Sequence, residues 1–441
     1  MAVARRSLTL SALIALVLST SCIGAGRLSL MSSPYDEYAS MLRGAGLDKT
    51  ALGERWMSAG ASALLNAAPV VSPFTESGYF AADQPTAVAY RLQLERGRRV
   101  IIDIAFVTSE PGRLFVDLFR SESSGELRRV ATLKDSELRI EYAVERTGAY
   151  VIRLQPELLR SGRFTLVENT LAAIRTFPVS GLTSRAVQSG FGAQRDSGTR
   201  SHEGIDIFAP RDTPVVAVTD GIAYTDTNGL GGNVVWLRDG LIGATRYYYA
   251  HLDRWAIDGS VRVREGDVLG YVGNTGNART TSPHLHFGVY DDGPIDPAPF
   301  LAPDETLRGT VVESSLLGTL VRTRTGRTPL LAGPMAGSTE RGLLEASTIA
   351  HRLGVSGTWH RLLLPDGTAG YVRANSVVTA EPPLQRRPLR EAVALREKPL
   401  SAAAVMTTLE DGTDVEVLGH FGQFDFVRSR DGLVGWAEMR R

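Results

Sequence analysis

Short runs of alternating apolar and polar residues, separated by turn residues, fill most of this sequence. Val88, Tyr90, Leu92 and Leu94 form one such run. An apolar residue at every second position predicts a β-strand with one buried face. The chain is also 441 residues long, more than one hydrophobic core usually organises. The predicted fold class is therefore mainly β, with several domains.

The composition is that of a soluble globular protein, with 43% hydrophobic and 22% charged residues. The 48 basic and 48 acidic residues cancel, so the net charge gives no attraction to nucleic acid. We therefore predict no nucleic-acid partner.

The chain begins with a pattern typical of an export signal. Arg5 and Arg6 precede an apolar run over residues 8–18, and small residues follow at 19–21. The apolar run is too short to span a membrane. These features predict that the mature chain lies outside the cytoplasm.

The only cysteine, Cys22, follows this segment directly, at the position where bacterial lipoproteins carry their acylated residue. We therefore predict a lipoprotein-like signal peptide in residues 1–22, a lipid anchor at Cys22 and a periplasmic location. Two alternatives remain: cleavage after Ala25 would release a secreted protein, and Arg5-Arg6 also permits a twin-arginine signal.

The rest of the chain divides into five segments with different patterns. Ser33-Pro34 predicts a helix start in the first, and Pro69 ends its helical pattern. Pro382, Pro383, Arg386, Arg387 and Pro388 predict a hinge between the last two. The predicted segments are a helical segment (33–70), a β-sandwich (74–172), a glycine-rich β domain (177–303) and two small β domains (308–380 and 388–441).

Four of the seven histidines fall in the glycine-rich domain, and their spacing is informative. His284 and His286 are two apart in a strand-like run, so their side chains share a face. His202 and Asp206 are four apart before a β-branched stretch, which also favours a strand with both on one side. Two imidazoles and a carboxylate on neighbouring strands predict a zinc site with one tetrahedral position open, as in catalytic zinc sites. Taken singly, either pair is more often structural than metal-binding.

Three segments resemble accessory modules of exported bacterial proteins. Residues 74–172, with Thr147-Gly148-Ala149-Tyr150-Val151 near the end, resemble the pre-peptidase β-sandwich modules of secreted proteases. The run Gly432-Leu433-Val434-Gly435-Trp436 resembles the closing element of bacterial SH3-like domains, and Gly370-Tyr371-Val372 repeats it. The resemblance implies two small barrels of a kind that often binds cell-wall peptides.

The glycine-rich domain resembles the lysostaphin-type (LytM) zinc endopeptidases over about residues 180–300. The matching motifs are Gly190-Phe191-Gly192, His202-x3-Asp206, Tyr249-Ala250-His251-Leu252, Gly273-Asn274-Thr275-Gly276 and Pro283-His284-Leu285-His286-Phe287. Ser282 and Gly288 depart from the usual pattern beside the last motif. The resemblance implies an antiparallel-sheet peptidase domain holding one zinc ion.

The family's functional positions carry over to five residues. His202, Asp206 and His286 are implied as zinc ligands, and His251 and His284 as catalytic histidines that do not bind the metal. Of the latter two, we favour His284 as the general base. Tyr247 to Tyr249 could line the groove, although alternate residues of such a strand more often face the core.

The resemblance implies hydrolysis of peptide bonds in peptidoglycan stem peptides or cross-bridges. Two other functions stay open: a non-catalytic wall-binding regulator of another hydrolase, and an exported protease acting on proteins outside the wall.

Overall fold

The computed structural model describes residues 32–135, 137–195, 198–239, 245–303 and 317–438. The predicted signal peptide and Cys22 lie outside the described residues. None of the described helices is long and apolar enough to cross a membrane.

Two short helices open the described chain, as the sequence predicts. The Ser33 hydroxyl accepts a hydrogen bond from the Asp36 amide at 3.2 Å and caps the first helix, and Thr50 caps the second through the Gly53 amide. Trp56 is buried and donates its indole N–H to the Pro156 carbonyl oxygen at 2.8 Å, which fixes the helices on the domain that follows. The helices are α1 (Pro34–Gly44) and α2 (Ala51–Leu65), with a 3-10 turn at Leu47–Lys49 between them.

A two-sheet sandwich follows the helices. Tyr90 and Leu92 of one sheet and Val100, Ile102 and Phe164 of the other belong to one buried core. The strands are β1 (Ala68–Pro69), β2 (Phe74–Phe80), β3 (Val88–Leu94), β4 (Arg98–Val107), β5 (Leu114–Ser121), β6 (Leu127–Thr132), β7 (Arg139–Ala143), β8 (Gly148–Pro156) and β9 (Gly162–Ala172). The first sheet has the order β1-β3-β8-β5-β6, and the second contains β2-β9-β4-β7.

The glycine-rich domain is built on one large antiparallel sheet with its own core. Tyr249, Leu285 and Phe287 lie in the core. The elements are β10 (Val187–Ser189), β11 (Gln194–Arg195), β12 (Arg200–Ser201), β13 (Ile205–Phe208), β14 (Pro214–Val216), β15 (Gly221–Asn228), β16 (Gly232–Asp239), β17 (Arg246–Trp255), β18 (Ser260–Val263), β19 (Val268–Val272), β20 (His284–Tyr290), β21 (Pro294–Ile295) and α3 (Ala298–Leu301), with 3-10 turns at Ser184–Ala186 and Gly276–Ala278. The central order of the sheet is β10-β13-β20-β17-β16-β15-β18, and β11 pairs with β12 in a separate hairpin.

Two C-terminal units complete the described chain. The first C-terminal unit holds β22 (Leu320–Thr323), β23 (Thr328–Leu331), β24 (Glu340–Leu344), β25 (Ile349–Ser356), β26 (Trp359–Leu363), β27 (Ala369–Arg373) and β28 (Val377–Thr379), with a 3-10 turn at Ala374–Ser376. The second C-terminal unit holds β29 (Gln385–Pro388), β30 (Val393–Arg396), β31 (Val405–Leu409), β32 (Asp414–Phe421), β33 (Phe424–Ser429) and β34 (Val434–Glu438). Their identity as SH3-like domains stays a prediction.

The prediction of a mainly β chain with several antiparallel sheets is confirmed. The predicted hinge is wrong over residues 385–388, because these residues form β29 and pair in antiparallel register with β32. Buried Leu418 and Trp436 of the second C-terminal unit also share a core with Ile349 of the first. The two units are therefore packed together.

Candidate active site and metal centre

One face of the large sheet carries the histidines and the carboxylate singled out in the sequence. Strand β20 lies between β13 and β17, and its His286 is paired with Asp206 on one side and Ala250 on the other. His284, two residues earlier, is paired with Phe208. Because residues two apart in a strand share a face, His284, His286 and Asp206 point into the same groove.

His202 joins this group from outside the sheet. The sequence pattern favours a strand through His202, but β13 begins only at Ile205 and His202 follows the hairpin of β11 and β12. The intervening Gly204 lies too close to β20 for a side chain: a Cβ there would lie 2.5 Å from the Phe287 carbonyl oxygen. Because Gly204 has no side chain, the backbone can pass close to β20, and His202 Nε2 lies beside Asp206 Oδ1.

Three donor atoms meet in this group. His202 Nε2 lies 3.0 Å from Asp206 Oδ1 and 2.9 Å from His286 Nδ1, and the last two atoms are 3.1 Å apart. In a tetrahedral zinc site with bonds of about 2.0–2.1 Å, neighbouring ligand atoms lie about 3.3 Å apart. The donor types and their spacing therefore fit one zinc-sized cation.

Contacts behind the donor atoms fix their orientation. His202 Nδ1 lies 2.8 Å from the Gly190 carbonyl oxygen, so this nitrogen carries the proton and leaves Nε2 bare. Asp206 Oδ2 accepts a hydrogen bond from Arg195 Nη2 at 2.6 Å. Burial raises the pKa of Asp206, but its close contacts with His202 and His286 outweigh burial and hold that pKa far below its usual range. The carboxylate is thus ionised and aimed into the group.

His251 and His284 stand beside this group with the same tautomer. His284 Nδ1 lies 2.8 Å from the Ser282 carbonyl oxygen, and His251 Nδ1 lies 2.9 Å from that of Thr275. In the neutral form of each ring, the unprotonated Nε2 therefore faces the groove. Their ring centroids are 5.0 Å apart, and His284 Nε2 is 3.9 Å from Asp206 Oδ1.

His251 has an unusual backbone and an unusual pKa. Its φ is +63°, in the left-handed region that residues other than glycine rarely adopt and that recurs at functional sites. Burial, together with the neighbouring His286 and His284, lowers the pKa of His251 to about 4. The ring is therefore neutral near neutral pH.

The groove around these side chains has a volume of about 760 Å³. Trp236, Tyr248 and Tyr290 line one side, and the ring centroids of Trp236 and Tyr248 are 4.5 Å apart. Tyr247 and Tyr249 instead point into the core, as strand alternation requires. The lining residues all lie between positions 188 and 290, so within the described chain neither the sandwich nor the C-terminal units form a wall of the groove.

The structure brings all five predicted site residues into this groove: His202, Asp206, His251, His284 and His286. The sequence reasoning missed Arg195, which contacts Asp206. Nothing in the local pattern marks Arg195 among the many arginines, because its contact depends on how the hairpin folds back. It also missed the carbonyl oxygens that fix the rings, since backbone acceptors leave no mark in a sequence.

Comparison with known proteins identifies the domain that carries the groove. Residues 200–297 match the sequence profile of peptidase family M23. The DD-carboxypeptidase/endopeptidase Mpg of Neisseria meningitidis serogroup B is 39% identical over 110 residues, which cover 24% of this chain and 24% of that protein. The peptidoglycan DD-endopeptidase ShyC of Vibrio cholerae is 34% identical over 131 residues, covering 29% of each chain.

The L-Ala--D-Glu endopeptidase of Bacillus subtilis is 36% identical over 139 residues, covering 28% of this chain and 42% of that protein. The chain thus spans less than half the length of these relatives. The family match over residues 200–297 includes all five predicted site residues.

Proposed function

We propose that the peptidase family M23 domain of this chain is a zinc endopeptidase that cleaves peptide bonds in peptidoglycan stem peptides or cross-bridges. The observation that carries the proposal is the convergence of His202 Nε2, Asp206 Oδ1 and His286 Nδ1 within 2.9–3.1 Å, in a groove that also presents His251 and His284. The names of the relatives, among them a peptidoglycan DD-endopeptidase and an L-Ala--D-Glu endopeptidase, support the substrate class.

His202, Asp206 and His286 would hold the zinc ion. The donor set of two imidazoles and one carboxylate, without a thiolate, is typical of catalytic rather than structural zinc. When bound, zinc acts as a Lewis acid that polarises the peptide carbonyl and activates water.

His284 and His251 would accept and transfer the proton of the attacking water. Because each ring donates Nδ1–H to a backbone carbonyl, each Nε2 can accept a proton from the attacking water. We assign the general base to His284, since its Nε2 lies only 3.9 Å from Asp206 Oδ1. His251 can donate a hydrogen bond to the developing oxyanion only after it has received a proton.

The shape of the groove suits an extended peptide with small side chains. Ala250 is paired with His286 on the sheet and carries only a methyl group, so the floor beside the donor atoms is low. At Gly288, two residues beyond His286, a Cβ would lie 2.7 Å from the Tyr290 ring, so the glycine lets this ring of the groove wall pack close to the strand. The tyrosine and tryptophan rings give an apolar wall against which a peptide can pack.

Action on the wall requires export, which the predicted signal peptide would provide. The relatives named for peptidoglycan cleavage support an extracytoplasmic site of action. The lipid anchor at Cys22 and the periplasmic location stay predictions, because Cys22 lies outside the described residues.

The test is to incubate the purified mature chain with peptidoglycan and to identify the released fragments by mass spectrometry. The His202→Ala variant should lose zinc and cleavage together, because it removes a buried ligand. The His284→Asn variant should keep zinc but lose cleavage by roughly 10²–10⁴-fold, the usual contribution of a general base. Cleavage by His202→Ala at the wild-type rate would contradict the ligand assignment.

The same experiment separates the other two functions. A wild-type chain that binds wall peptides without zinc and without cleavage would be a regulator of another hydrolase. A chain that digests a denatured protein but leaves peptidoglycan intact would be a protease of other substrates.

A further inference from the structure

Arg195 holds a position that links the groove wall to the metal centre. It lies on β11, which pairs with β12 so that Arg195 is opposite Arg200. Two backbone hydrogen bonds fasten this hairpin to the site: the Gly192 amide donates to the His202 carbonyl oxygen at 2.8 Å, and the His202 amide donates to that of Ala193 at 2.9 Å. The hairpin therefore leads straight into His202.

Arg195 contacts Asp206 and Ser189 through its guanidinium nitrogen Nη2. Its Nη2 donates to Asp206 Oδ2 at 2.6 Å and to Ser189 Oγ at 2.6 Å. The same atom lies 3.2 Å from His202 Nδ1, but that nitrogen already donates its proton to the Gly190 carbonyl oxygen, so this contact joins two donors and is not a hydrogen bond.

The two oxygens of Asp206 thus have different partners. Oδ1 faces His202 Nε2 and His286 Nδ1, whereas Oδ2 is held by the guanidinium. The Asp206 side chain is only 11% exposed, so little water competes with these partners. Because an arginine does not lose its proton in proteins, the contact is not switched off by pH.

We propose that Arg195 is a positioning residue that keeps Asp206 a one-oxygen ligand and leaves one metal position free for water and substrate. This inference rests on the proposed zinc peptidase function. Without the guanidinium, the carboxylate is free to rotate and to offer both oxygens to the metal. Such a rotation would place the second oxygen in the open position and so compete with water and substrate for it. Groups that orient metal ligands in this way typically account for roughly 10–100-fold in metal affinity or activity.

The test compares Arg195→Gln and Arg195→Lys with wild type in the full mature chain. Zinc affinity is measured against a competing chelator, and the visible spectrum of the cobalt(II)-loaded protein reports the number of ligands around the metal. Arg254→Gln is the matched control, because Arg254 pairs with Asp212 in the same domain and does not line the groove.

We expect Arg195→Gln to weaken zinc binding or lower kcat by roughly 10-fold or more, with weaker cobalt absorption that indicates a higher coordination number. Arg195→Lys, which retains a charged donor, should recover part of the loss, and Arg254→Gln should match wild type.

A wild-type chain that binds zinc, with an Arg195→Gln variant unchanged in zinc affinity, kcat and cobalt spectrum, would overturn the inference and leave the proposed function intact. Equal losses in the Gln and Lys variants with an unchanged cobalt spectrum would also overturn it, because they would indicate a structural role for the hairpin. A wild-type chain without zinc binding would instead contradict the proposed function itself.

Discussion

Backbone carbonyl oxygens set the chemistry of single side chains in this groove. His202, His251 and His284 each place Nδ1 within 2.8–2.9 Å of a carbonyl oxygen, at Gly190, Thr275 and Ser282 in turn. Since a carbonyl can only accept, the proton of each neutral ring lies on Nδ1 and Nε2 is left for the metal or the substrate. These three acceptors determine which nitrogen is available, although none of them is a catalytic group.

His360 is a buried histidine outside the groove, and its burial should make the protein sensitive to acid. It is 8% exposed on β26, and desolvation together with the nearby Arg352 lowers its pKa to about 4. In the unfolded chain a histidine titrates near about pH 6.5. The native state therefore binds fewer protons than the unfolded state between these values, so stability falls as the pH drops from about 6.5 to about 4.

We expect this histidine to account for up to about 3 kcal/mol of that loss. His360→Gln should reduce the difference in unfolding free energy between pH 7.5 and pH 4, measured by urea denaturation. A variant with the same acid sensitivity as wild type would show that His360 does not drive it.

The pairing of strands β13 and β20 brings together the residues of the candidate metal centre. Its register places Asp206 opposite His286, and a shift by one residue would turn one of the two side chains to the opposite face of the sheet. Gly204 precedes β13 and allows the chain to pass close to β20. The register and this close approach together bring the three donor atoms within reach of one ion.

A side chain at residue 204 should therefore disturb the centre. In Gly204→Ala, the Cβ would lie 2.5 Å from the Phe287 carbonyl oxygen and 2.8 Å from two atoms of the His286 ring. The carbonyl belongs to the backbone near the middle of β20, so it cannot move away without straining the strand pairing. We expect a loss of about 1–3 kcal/mol in unfolding free energy, the usual cost of overpacking, and weaker zinc binding.

Gly190→Ala is the control for this prediction, because a Cβ at residue 190 meets nothing within 4 Å and the carbonyl that holds His202 is retained. Urea unfolding of the metal-free protein and a chelator titration measure the two effects. Equal behaviour of the two variants would contradict the steric argument.

The molecule as a whole joins parts that are far apart in sequence. Strand β2 of the sandwich pairs with β25 of the first C-terminal unit, so one sheet runs through both. Buried Glu76 lies at this junction and accepts hydrogen bonds from Arg361 at 2.8 Å and from the Tyr371 hydroxyl at 2.7 Å. The glycine-rich domain contacts the sandwich at another place, where Phe300 packs against Gly97.

Arg361 should therefore be required for stability and dispensable for catalysis. Arg361→Met leaves Glu76 as a buried carboxylate without its cation, which typically costs about 3–5 kcal/mol. We expect a lower thermal unfolding transition, with hydrolysis by the folded protein unchanged because the groove lies within residues 188–290. The double variant Glu76→Gln with Arg361→Met should regain most of the loss. An unchanged transition in the single variant would mean that the pair does not hold the two parts together.

Features that depend on neighbouring residues can be predicted from the amino-acid sequence of this chain. Alternation predicts the β class, the cap at Ser33 predicts the start of α1, and the spacing of His284 and His286 predicts a shared face. Each follows from the geometry of a single helix or strand, which a few consecutive residues specify.

Contacts between distant segments could be read only from the folded structure. There, the strand predicted through His202 begins only at Ile205, Arg195 contacts Asp206, and β2 pairs with β25 across more of the chain than any local pattern covers. Which strands pair, and which side chain folds back onto a ligand, depends on the competition between all possible partners in the folded core. That competition is a property of the whole chain, so no short stretch of sequence records its outcome.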